Sequence, residues 1–353
     1  MGARALVEPP GVGSPAKALL IGYFGHGNAG DEWILGSLLA ALGDRSCAVV
    51  VGPRPSDLGA AEAIPRDNFF RLCRCLRSFG AVVLGGGELF QNRTSRRSLL
   101  YYLFFPFWAR LRGRPAAALG VSVDPALPQR WIRAVRGFLR GARVWARDAA
   151  SAAALTVSGA ETPVGVDSVW GRGLQIATPP PALKRVLWVL RAPASPEALA
   201  AVVNGLQARE PWDHGFLLFH PAADRPVVAA LRARLNFPHR LETWEKPDDV
   251  FAVLGRYDLV VSMRYHGLVA AALTSRPSVA LAAHGKVESL ARELNVPVVS
   301  GEASVDDWRK ELRAGFERGP VSPGERPAVA RRNLAALARW LSDAGIPIPA
   351  RNL

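Results

Sequence analysis

The chain has 353 residues, which predicts two domains rather than one at about 150 residues per domain. Hydrophobic residues make up 49% and charged residues 21%, which excludes collagen-like, coiled-coil and mostly disordered proteins. The formal net charge is +14 and nearly all of the 44 basic residues are arginine, which favours anionic partners, although codon composition can also produce an arginine excess.

The first half of the chain alternates buried strands with helices. Ala18–Phe24 predicts a strand, which a glycine-rich turn joins to a helix with apolar residues from Ile34 to Leu42. The alternation then predicts strands at Ala48–Val51, Ala81–Leu84, Ala116–Val121 and Ala142–Trp145, and helices near Phe69–Phe79, Leu99–Leu111, Gln129–Leu139 and after Asp148. Such repetition indicates a parallel sheet with helices on its faces.

The prolines between Thr178 and Leu183 interrupt this pattern and predict a linker at 178–184. Before this linker we predict a flexible tail (1–16) and a first domain (17–177). After it we predict a second domain (185–320). The second domain has predicted strands at Val186–Leu190, Phe216–Phe219, Leu259–Val261 and Val279–Ala282, and predicted helices at Glu197–Gln207, Val227–Leu235, Pro247–Leu254, Leu268–Thr274 and Val287–Leu294. We expect a final helix, 327–344, to pack across both domains through one apolar stripe. The predicted fold class is α/β, with two doubly wound, Rossmann-like domains.

The cysteines and the apolar segments indicate the compartment. Cys47, Cys73 and Cys75 form no CxxC pair, and an odd number in a chain of this length predicts a reducing, cytoplasmic location. Residues 1–15 lack the apolar core of a signal peptide, and no stretch approaches the ~20 apolar residues of a membrane-spanning helix. We expect neither secretion nor membrane spanning. We also expect no metal and no cofactor, because no His, Cys and Asp cluster has ligand spacing.

Two glycine-rich loops follow predicted strands of the first domain, where doubly wound sheets bind ligands. Gly22–Glu32 precedes a helix N-terminus and suits an anion, or it is a turn in which Asp31 and Glu32 only satisfy the first helical turn. It matches neither the Walker motif nor the dinucleotide fingerprint. Gly85–Asn92 contains three consecutive glycines, and its Glu88, Gln91 and Asn92 either bind sugar hydroxyls or are solvated.

Basic residues follow other strands. Arg264 and His266 lie in Ser262–Gly267, and Lys286 ends His284–Lys286 in a matching loop. We expect these three side chains to converge on a ligand that carries both phosphate and carboxylate groups. Arg147 also follows a strand, but taken alone it is equally well explained by a surface pair with Asp148.

The segment from Arg96 to Arg114 combines aromatic residues with arginines. It predicts peripheral contact with an anionic membrane or, as the alternative, a buried helix that covers the sheet. Arginines interleaved with aromatics also suit single-stranded nucleic acid. We expect no nucleic-acid partner, however, because no recognition-helix, KH or RRM pattern is present.

Together these motifs resemble the polysaccharide pyruvyl transferase family, which attaches pyruvate as a ketal to cell-surface glycans. The resemblance rests on motifs that occur in the family's order over roughly residues 18 to 300: Gly27–Glu32, Gly85–Gly87, Arg147–Asp148, Phe219–Pro221 with Asp224, and Met263–Gly267 with Lys286. It implies an arrangement of the glycosyltransferase B type, with phosphoenolpyruvate as donor, the second domain on the donor side and the first on the acceptor side. The chain departs from the family pattern at Leu119–Pro125.

The resemblance also implies residue roles. In the family the matching residues serve the donor, and here these are Arg147, His266 and Lys286. From the residues themselves we expect Arg264 to bind phosphoenolpyruvate as well, and we expect catalysis to involve His266, Arg147, Lys286 and either Asp31 or Glu32 as the base. His266 is either the acid or a phosphate ligand. The acceptor glycan, soluble or lipid-linked, is expected to be bound by Gly27, Asn28, Gly30, Asp31, Gly86, Gly87, Glu88 and Gln91. We expect a cytoplasmic location and, with a lipid-linked acceptor, a reaction at the inner face of the cytoplasmic membrane.

Two other functions fit the same fold. One is a nucleotide-sugar-dependent glycosyltransferase of the B type, whose basic residues would bind a diphosphate. Such an enzyme normally needs an acidic ribose partner, for which the sequence offers no clear candidate. The other is a non-catalytic, membrane-peripheral scaffold, which would have no need for Arg264, His266 and Lys286 in one region.

Overall fold

The computed structural model describes residues 17–53, 58–66, 72–73, 78–93, 95–156, 162–173, 182–282 and 285–352. The predicted tail, most of the predicted linker, Cys75 and His284 lie outside these ranges. Most of the helix predicted near Phe69–Phe79 also lies outside them. The end of that prediction is wrong, because Phe79 begins a strand.

The first sheet has six parallel strands in the order β3-β2-β1-β4-β5-β6. They are β1 Lys17–Ile21, β2 Cys47–Val51, β3 Glu62–Pro65, β4 Phe79–Phe90, β5 Ala116–Val123 and β6 Arg143–Ala146. The helices in this part of the chain are α1 Ala29–Leu42, α2 Arg96–Leu111, α3 Gln129–Phe138 and α4 Ala149–Leu155. All residues of β2 and β5 are buried, as expected for a parallel sheet covered on both faces.

The second sheet also has six parallel strands, in the order β12-β11-β10-β7-β8-β9. They are β7 Arg185–Val189, β8 Asp213–Leu217, β9 Arg240–Glu242, β10 Leu259–Ser262, β11 Ser278–Ala282 and β12 Val298–Ser300. The helices are α5 Pro196–Arg209, α6 Pro221–Arg232, α7 Asp249–Gly255, α8 Tyr265–Leu273, α9 Gly285–Glu293, α10 Val305–Glu317 and α11 Arg326–Asp343.

Both sheets have the same topology. Counted from the first strand of each, the order is 3-2-1-4-5-6, the strand order of the Rossmann fold. The strand order reverses between β1 and β4 in one sheet and between β7 and β10 in the other. The predicted fold class, two doubly wound α/β domains, is therefore confirmed.

The described residues form two compact units. The first contains those within Met1–His26, Ile34–Gly171 and Ala328–Leu353, and the second those within Gly27–Trp33 and Arg172–Pro327. Each unit has its own apolar core between sheet and helices. In the part of the chain that is described, no helix is long and apolar enough to cross a membrane.

The structure differs from the sequence prediction at three short strands and at one glycine-rich segment. The strands β3, β9 and β12 have three or four residues and show no clear alternation, so they were not predicted. The three glycines at 85–87 lie within β4 instead of a loop, because β4 continues to pair with β5 as far as Phe90. At Gly86 the lack of a side chain has a packing reason, because a Cβ there would lie 2.7 Å from Cγ2 of Ile34 on α1.

Candidate functional site

The basic motif of the second unit lies at the carboxyl ends of β10 and β11, which are neighbours in the sheet. Arg264 is the N-cap residue of α8, and His266 is in the first turn of that helix. Lys286 is in the first turn of α9, after β11. The two helix N-termini add partial positive charge to that of the side chains. This end of the sheet is therefore strongly cationic.

A short segment, Gly27–Trp33, belongs to the same unit and packs against this end of the sheet. The backbone N–H of Ala29 donates a hydrogen bond to the carbonyl of Phe219 (3.2 Å). The indole ring of Trp33 stacks on Phe251, with ring centroids 4.5 Å apart, and meets Phe219 edge-on at 5.4 Å. These contacts fix the backbone that carries Gly30 and Asp31.

His266 lies directly against the backbone of Gly30. A Cβ atom on this glycine would be 2.2 Å from Nδ1 of His266 and 2.5 Å from its Cγ, much closer than non-bonded atoms approach. Only glycine leaves room for the imidazole ring at this position. Gly30 thus has a packing role in the second unit, because it leaves the space that His266 occupies.

Asp31 is half-buried beside these basic groups, and Nδ2 of Asn28 donates a hydrogen bond to its carboxylate. Burial raises the pKa of Asp31 to about 6, and the charge of Glu32 adds to this effect. The charges of His266 and Lys286, together with the Asn28 hydrogen bond, act in the opposite direction. A carboxyl group with this pKa can exchange a proton near neutral pH.

Arg264 is oriented by a buried acid. Asp224, on α6, is fully buried and pairs with Nη2 of Arg264. The carboxylate of Asp224 also accepts a hydrogen bond from the backbone N–H of His220 (2.7 Å). Within the described residues, Nε of Arg264 is buried and has no hydrogen-bond partner. A buried guanidinium donor without a partner is costly, so this group is well suited to an anionic ligand.

The backbone before α8 is held by Ser262. Its Oγ accepts a hydrogen bond from the backbone N–H of Arg264 (3.1 Å) and donates one to the carbonyl of the same residue (2.9 Å). A Cβ on Gly267 would lie 2.1 Å from this oxygen, so Gly267 allows α8 to start close to the strand end. The motif Ser262–Gly267 therefore contains two residues, Ser262 and Gly267, that position the backbone of Arg264 and the start of α8.

Arg147 belongs to the first unit. The predicted pair with Asp148 is present, but the Arg147 side chain is only 3% exposed, so the pair is not one between two exposed side chains. Nε of Arg147 lies 3.8 Å from the Asp148 carboxylate, which also accepts a hydrogen bond from Ser151 N–H (2.7 Å) and so caps α4. Arg147 is thus a buried cation at the end of β6.

The predicted acceptor residues fall into two groups. Gly27, Asn28, Gly30 and Asp31 belong to the second unit, whereas Gly86, Gly87, Glu88 and Gln91 belong to the first. Glu88 pairs with Arg93, whose Nε also lies 2.8 Å from the Asp124 carboxylate. Glu88 is thus part of an ion-pair network and is not simply solvated.

The partner of Arg264 was not identified from the residues alone. Asp224 entered only through its place in the family motif, because its distance of 40 residues from Arg264 gives no local signal. The aromatic contacts of Trp33 were missed for the same reason. Among the described residues, no group of three or more His, Cys, Asp or Glu side chains could hold a metal ion.

The two doubly wound α/β units, together with the similar solved structures, define a fold like that of the glycosyltransferase B type. One similar solved structure is HepE from Anabaena in complex with UDP and glucose, with a TM-score of 0.58, 14% identity, and coverage of 93% of this chain and 98% of that chain. Another is a putative UDP-N-acetylglucosamine 2-epimerase from Listeria monocytogenes, with a TM-score of 0.66, 11% identity, and coverage of 95% and 99%. These low identities support the fold alone.

Comparison of the sequence with models of protein families identifies the family of this chain. The family model for polysaccharide pyruvyl transferase matches residues 28–285, which is most of the chain. The chain therefore belongs to the polysaccharide pyruvyl transferase family, and the predicted resemblance is confirmed. It is accordingly a transferase of polysaccharide pyruvylation. A comparison with curated proteins gives no match.

Proposed function

We propose that the protein transfers a pyruvyl group from phosphoenolpyruvate to a sugar of a cell-surface polysaccharide or of its lipid-linked precursor, forming a cyclic ketal and releasing phosphate. The observation that carries this proposal is the cationic strand end of the second unit. There Arg264 has a buried donor without a partner among the described residues, and His266 and Lys286 act electrostatically on Asp31. Phosphoenolpyruvate carries a phosphate and a carboxylate, which are the two groups that such donors bind best.

The donor is held by groups of two kinds. Arg264 presents a planar guanidinium whose direction is fixed by the fully buried Asp224, which suits a two-point contact with phosphate or carboxylate. Lys286 supplies a compact charge at the start of α9, where the helix N-terminus also favours an anion. Arg147, in the first unit, is assigned to the donor because it matches the family's Arg-Asp motif.

The reaction begins with proton transfer to the methylene carbon of phosphoenolpyruvate, which becomes a methyl group and leaves C2 cation-like. The oxygen of a sugar hydroxyl then bonds to C2 and loses its proton. A second hydroxyl of the same sugar attacks C2, the C2–O bond to phosphate breaks, and the cyclic ketal closes. Of the two hydroxyl protons, one replaces the proton that was delivered to carbon and the other leaves with hydrogen phosphate.

His266 is our candidate for the acid, or for a ligand of the departing phosphate. The close packing of His266 on Gly30 favours a role that requires a fixed ring position. Asp31 is the better candidate for the base, because its pKa of about 6 leaves it ionised at neutral pH and able to accept a proton. Glu32 is only 3% exposed, which leaves less room for a substrate hydroxyl.

The acceptor site is proposed to include residues of the segment that carries Asp31. Asn28 has a buried Oδ1 atom without a hydrogen-bond partner in the described part of the chain, and this oxygen is suited to a sugar hydroxyl. We further propose that Gly27 and Gly30 of the same segment, and Gly86, Gly87, Glu88 and Gln91 of the first unit, contribute to the acceptor site. A lipid-linked acceptor would place the reaction at the inner face of the cytoplasmic membrane.

The test is incubation of the purified protein with phosphoenolpyruvate and candidate soluble and lipid-linked sugars. We expect phosphate release and an acceptor mass gain of one pyruvyl group. Transfer of a sugar from a nucleotide sugar instead would favour the glycosyltransferase alternative, and no transfer from either donor would favour the scaffold.

Arg264→Lys provides a sharper variant. It keeps a positive charge beside Asp224 but removes the planar guanidinium, so the Michaelis constant for phosphoenolpyruvate should rise by about tenfold or more. The matched control is Arg256→Lys, since Arg256 also pairs with an acid, Glu242 (2.8 Å), but has a side chain that is 57% exposed. Equal effects of both variants would contradict the proposed role of Arg264.

A further inference from the structure

The helix α2 has two apolar faces. Its inner face, which includes Leu99, Leu103 and Phe105, is buried in the core of the first unit. A second apolar stripe, the outer stripe, runs along the helix at a spacing of four, three and four residues through Leu100, Phe104, Phe107 and Leu111. Of these, Phe104 also packs against the core. Leu100 is 46% and Leu111 is 67% exposed, and the two phenylalanines between them are half-buried. Apolar residues at helical spacing on an exposed face indicate a surface that is covered in the working protein.

The same part of the chain is strongly basic. Between residues 88 and 148 the acidic residues are Glu88, Asp124 and Asp148, while the arginines are at positions 93, 96, 97, 110, 112, 114, 130, 133, 136, 140, 143 and 147. On α3, Arg130, Arg133 and the following Arg140 recur at a spacing of three and seven residues and are exposed. Most of the net positive charge of the whole chain is therefore concentrated in this one region.

The outer stripe of α2 and the basic face of α3 form one continuous surface. Nη1 of Arg110 donates a hydrogen bond to the carbonyl of Gly137 (2.8 Å), and the rings of Phe107 and Phe138 meet edge-on at 5.4 Å. The guanidinium group of Arg110 also lies over the Phe107 ring at 5.4 Å. Apolar side chains and cationic groups thus alternate across the surface.

We propose that this surface binds the headgroup region of an anionic phospholipid bilayer, with α2 lying in the plane of the membrane. The outer stripe extends over about 16 Å of helix, so Leu100 and Leu111 can both enter the acyl boundary while the arginines contact lipid phosphates. A second copy of the chain does not fit, because two such basic surfaces repel one another. An anionic membrane accounts for both the exposed apolar stripe and the basic face. A purely anionic partner such as nucleic acid would leave the exposed leucines unexplained.

The test is sedimentation with vesicles of phosphatidylcholine alone and of phosphatidylcholine with about 30% phosphatidylglycerol, at low and high salt. We expect the protein to bind only the anionic vesicles, and a fraction of it to stay bound at high salt. Failure of the wild-type protein to sediment with anionic vesicles would overturn the proposal.

The first pair of variants tests the apolar stripe. Leu100→Ser with Leu111→Ser should keep most of the binding at low salt but lose the salt-resistant fraction, because the charges remain and the inserted side chains do not. Val298→Ser, which changes an exposed apolar residue of the second unit, should bind like the wild-type protein. Unchanged salt resistance in the double variant would show that the leucines are not inserted.

The second pair tests the basic face. Replacement of Arg130, Arg133 and Arg140 by Gln should weaken binding at low salt by about tenfold or more. The control removes the same charge from exposed positions elsewhere in the first unit, by replacement of Arg331, Arg332 and Arg351 with Gln, and should change binding by no more than about twofold. Equal losses in the two triple variants would mean that the protein binds anionic vesicles through its overall net charge and not through this surface. Such a protein would bind an acidic protein or a nucleic acid in the same way.

Circular dichroism should show the same spectrum for all of these variants, because every substituted side chain is exposed. Pyruvyl transfer to a soluble acceptor should also be unchanged. Failure of the membrane proposal can therefore be distinguished from failure of the proposed reaction, because the two are measured in separate assays.

Discussion

Replacement of Gly30 by alanine tests the arrangement of His266 with a single methyl group. Ordinary van der Waals contacts of a Cβ begin near 3.4 Å, and the new atom would lie 2.2 Å from Nδ1 of His266. The imidazole ring must therefore retreat by about 1 Å, or the first turn of α1 must move by the same amount. A displacement of this size at a catalytic group can cost about 100-fold in rate.

The fold should survive this substitution. Gly30 lies in the first turn of α1 and is not among the glycines with positive φ, so alanine fits the backbone there. Overpacking against His266 costs roughly 1–3 kcal/mol, and the higher helix propensity of alanine offsets about 1 kcal/mol of it. We expect a small decrease in the free energy of unfolding alongside a large decrease in turnover.

The assay is phosphate release from phosphoenolpyruvate in the presence of the acceptor, with thermal unfolding measured in parallel. Gly255→Ala is the matched control, because it places a methyl group in a helix of the same unit with no atom within 4 Å. We expect a loss of about 100-fold for Gly30→Ala and less than about twofold for the control. Full activity of Gly30→Ala, with an unchanged NMR chemical shift for His266, would refute the proposed packing.

Three further predictions concern the same groups. Lys286→Ala should weaken phosphoenolpyruvate binding without unfolding the protein, whereas Lys310→Ala, at an exposed position of α10, should have no effect; equal affinities by titration calorimetry would contradict this. His266→Gln should reduce turnover far more than affinity for phosphoenolpyruvate, and a loss of affinity alone would make His266 a phosphate ligand. The raised pKa of Asp31 predicts that turnover falls as the pH drops through about 6, because the protonated carboxyl cannot act as a base. A pH profile that stays flat from about one unit below this pKa to about one unit above it would exclude Asp31 as the base.

Much of the fold could be predicted because its signals are local. Apolar runs such as Cys47–Val51 and the helical spacing of Gln129–Phe138 each specify one element, and their alternation specifies a doubly wound sheet. The short strand Arg240–Glu242 could not be predicted in this way, because three residues are too few to show a period. Its place in the sheet depends on pairing with β8, which is a tertiary contact.

The candidate site shows the same limit. Arg264, His266 and Lys286 could be grouped because each follows a strand of a parallel sheet, and such ends meet at one edge. Asp224, which orients Arg264, lies 40 residues away along the chain, and nothing in the local sequence joins the two. The close contact of Gly30 with His266 is still more distant in sequence and depends on side-chain packing in three dimensions.

The helix α2 shows why two hypotheses could not be separated from sequence. An apolar segment flanked by arginines predicts either a buried helix or a membrane contact. In the structure one face of α2 is buried, while Leu100 and Leu111 on the other face remain exposed. The exposure of individual side chains, which periodicity does not determine, shows only which face of the helix is available for a partner.

The central claim is that the donor is phosphoenolpyruvate, and thermal unfolding in the presence of candidate donors tests it most directly. A ligand that binds only the folded protein raises its melting temperature, and the stabilisation grows with the logarithm of the ratio of ligand concentration to dissociation constant. We predict that phosphoenolpyruvate stabilises the protein, that Arg264→Lys largely removes this effect, and that UDP-sugars do not stabilise it. Stabilisation by UDP-sugars with no response to phosphoenolpyruvate would contradict the account and identify a glycosyltransferase instead.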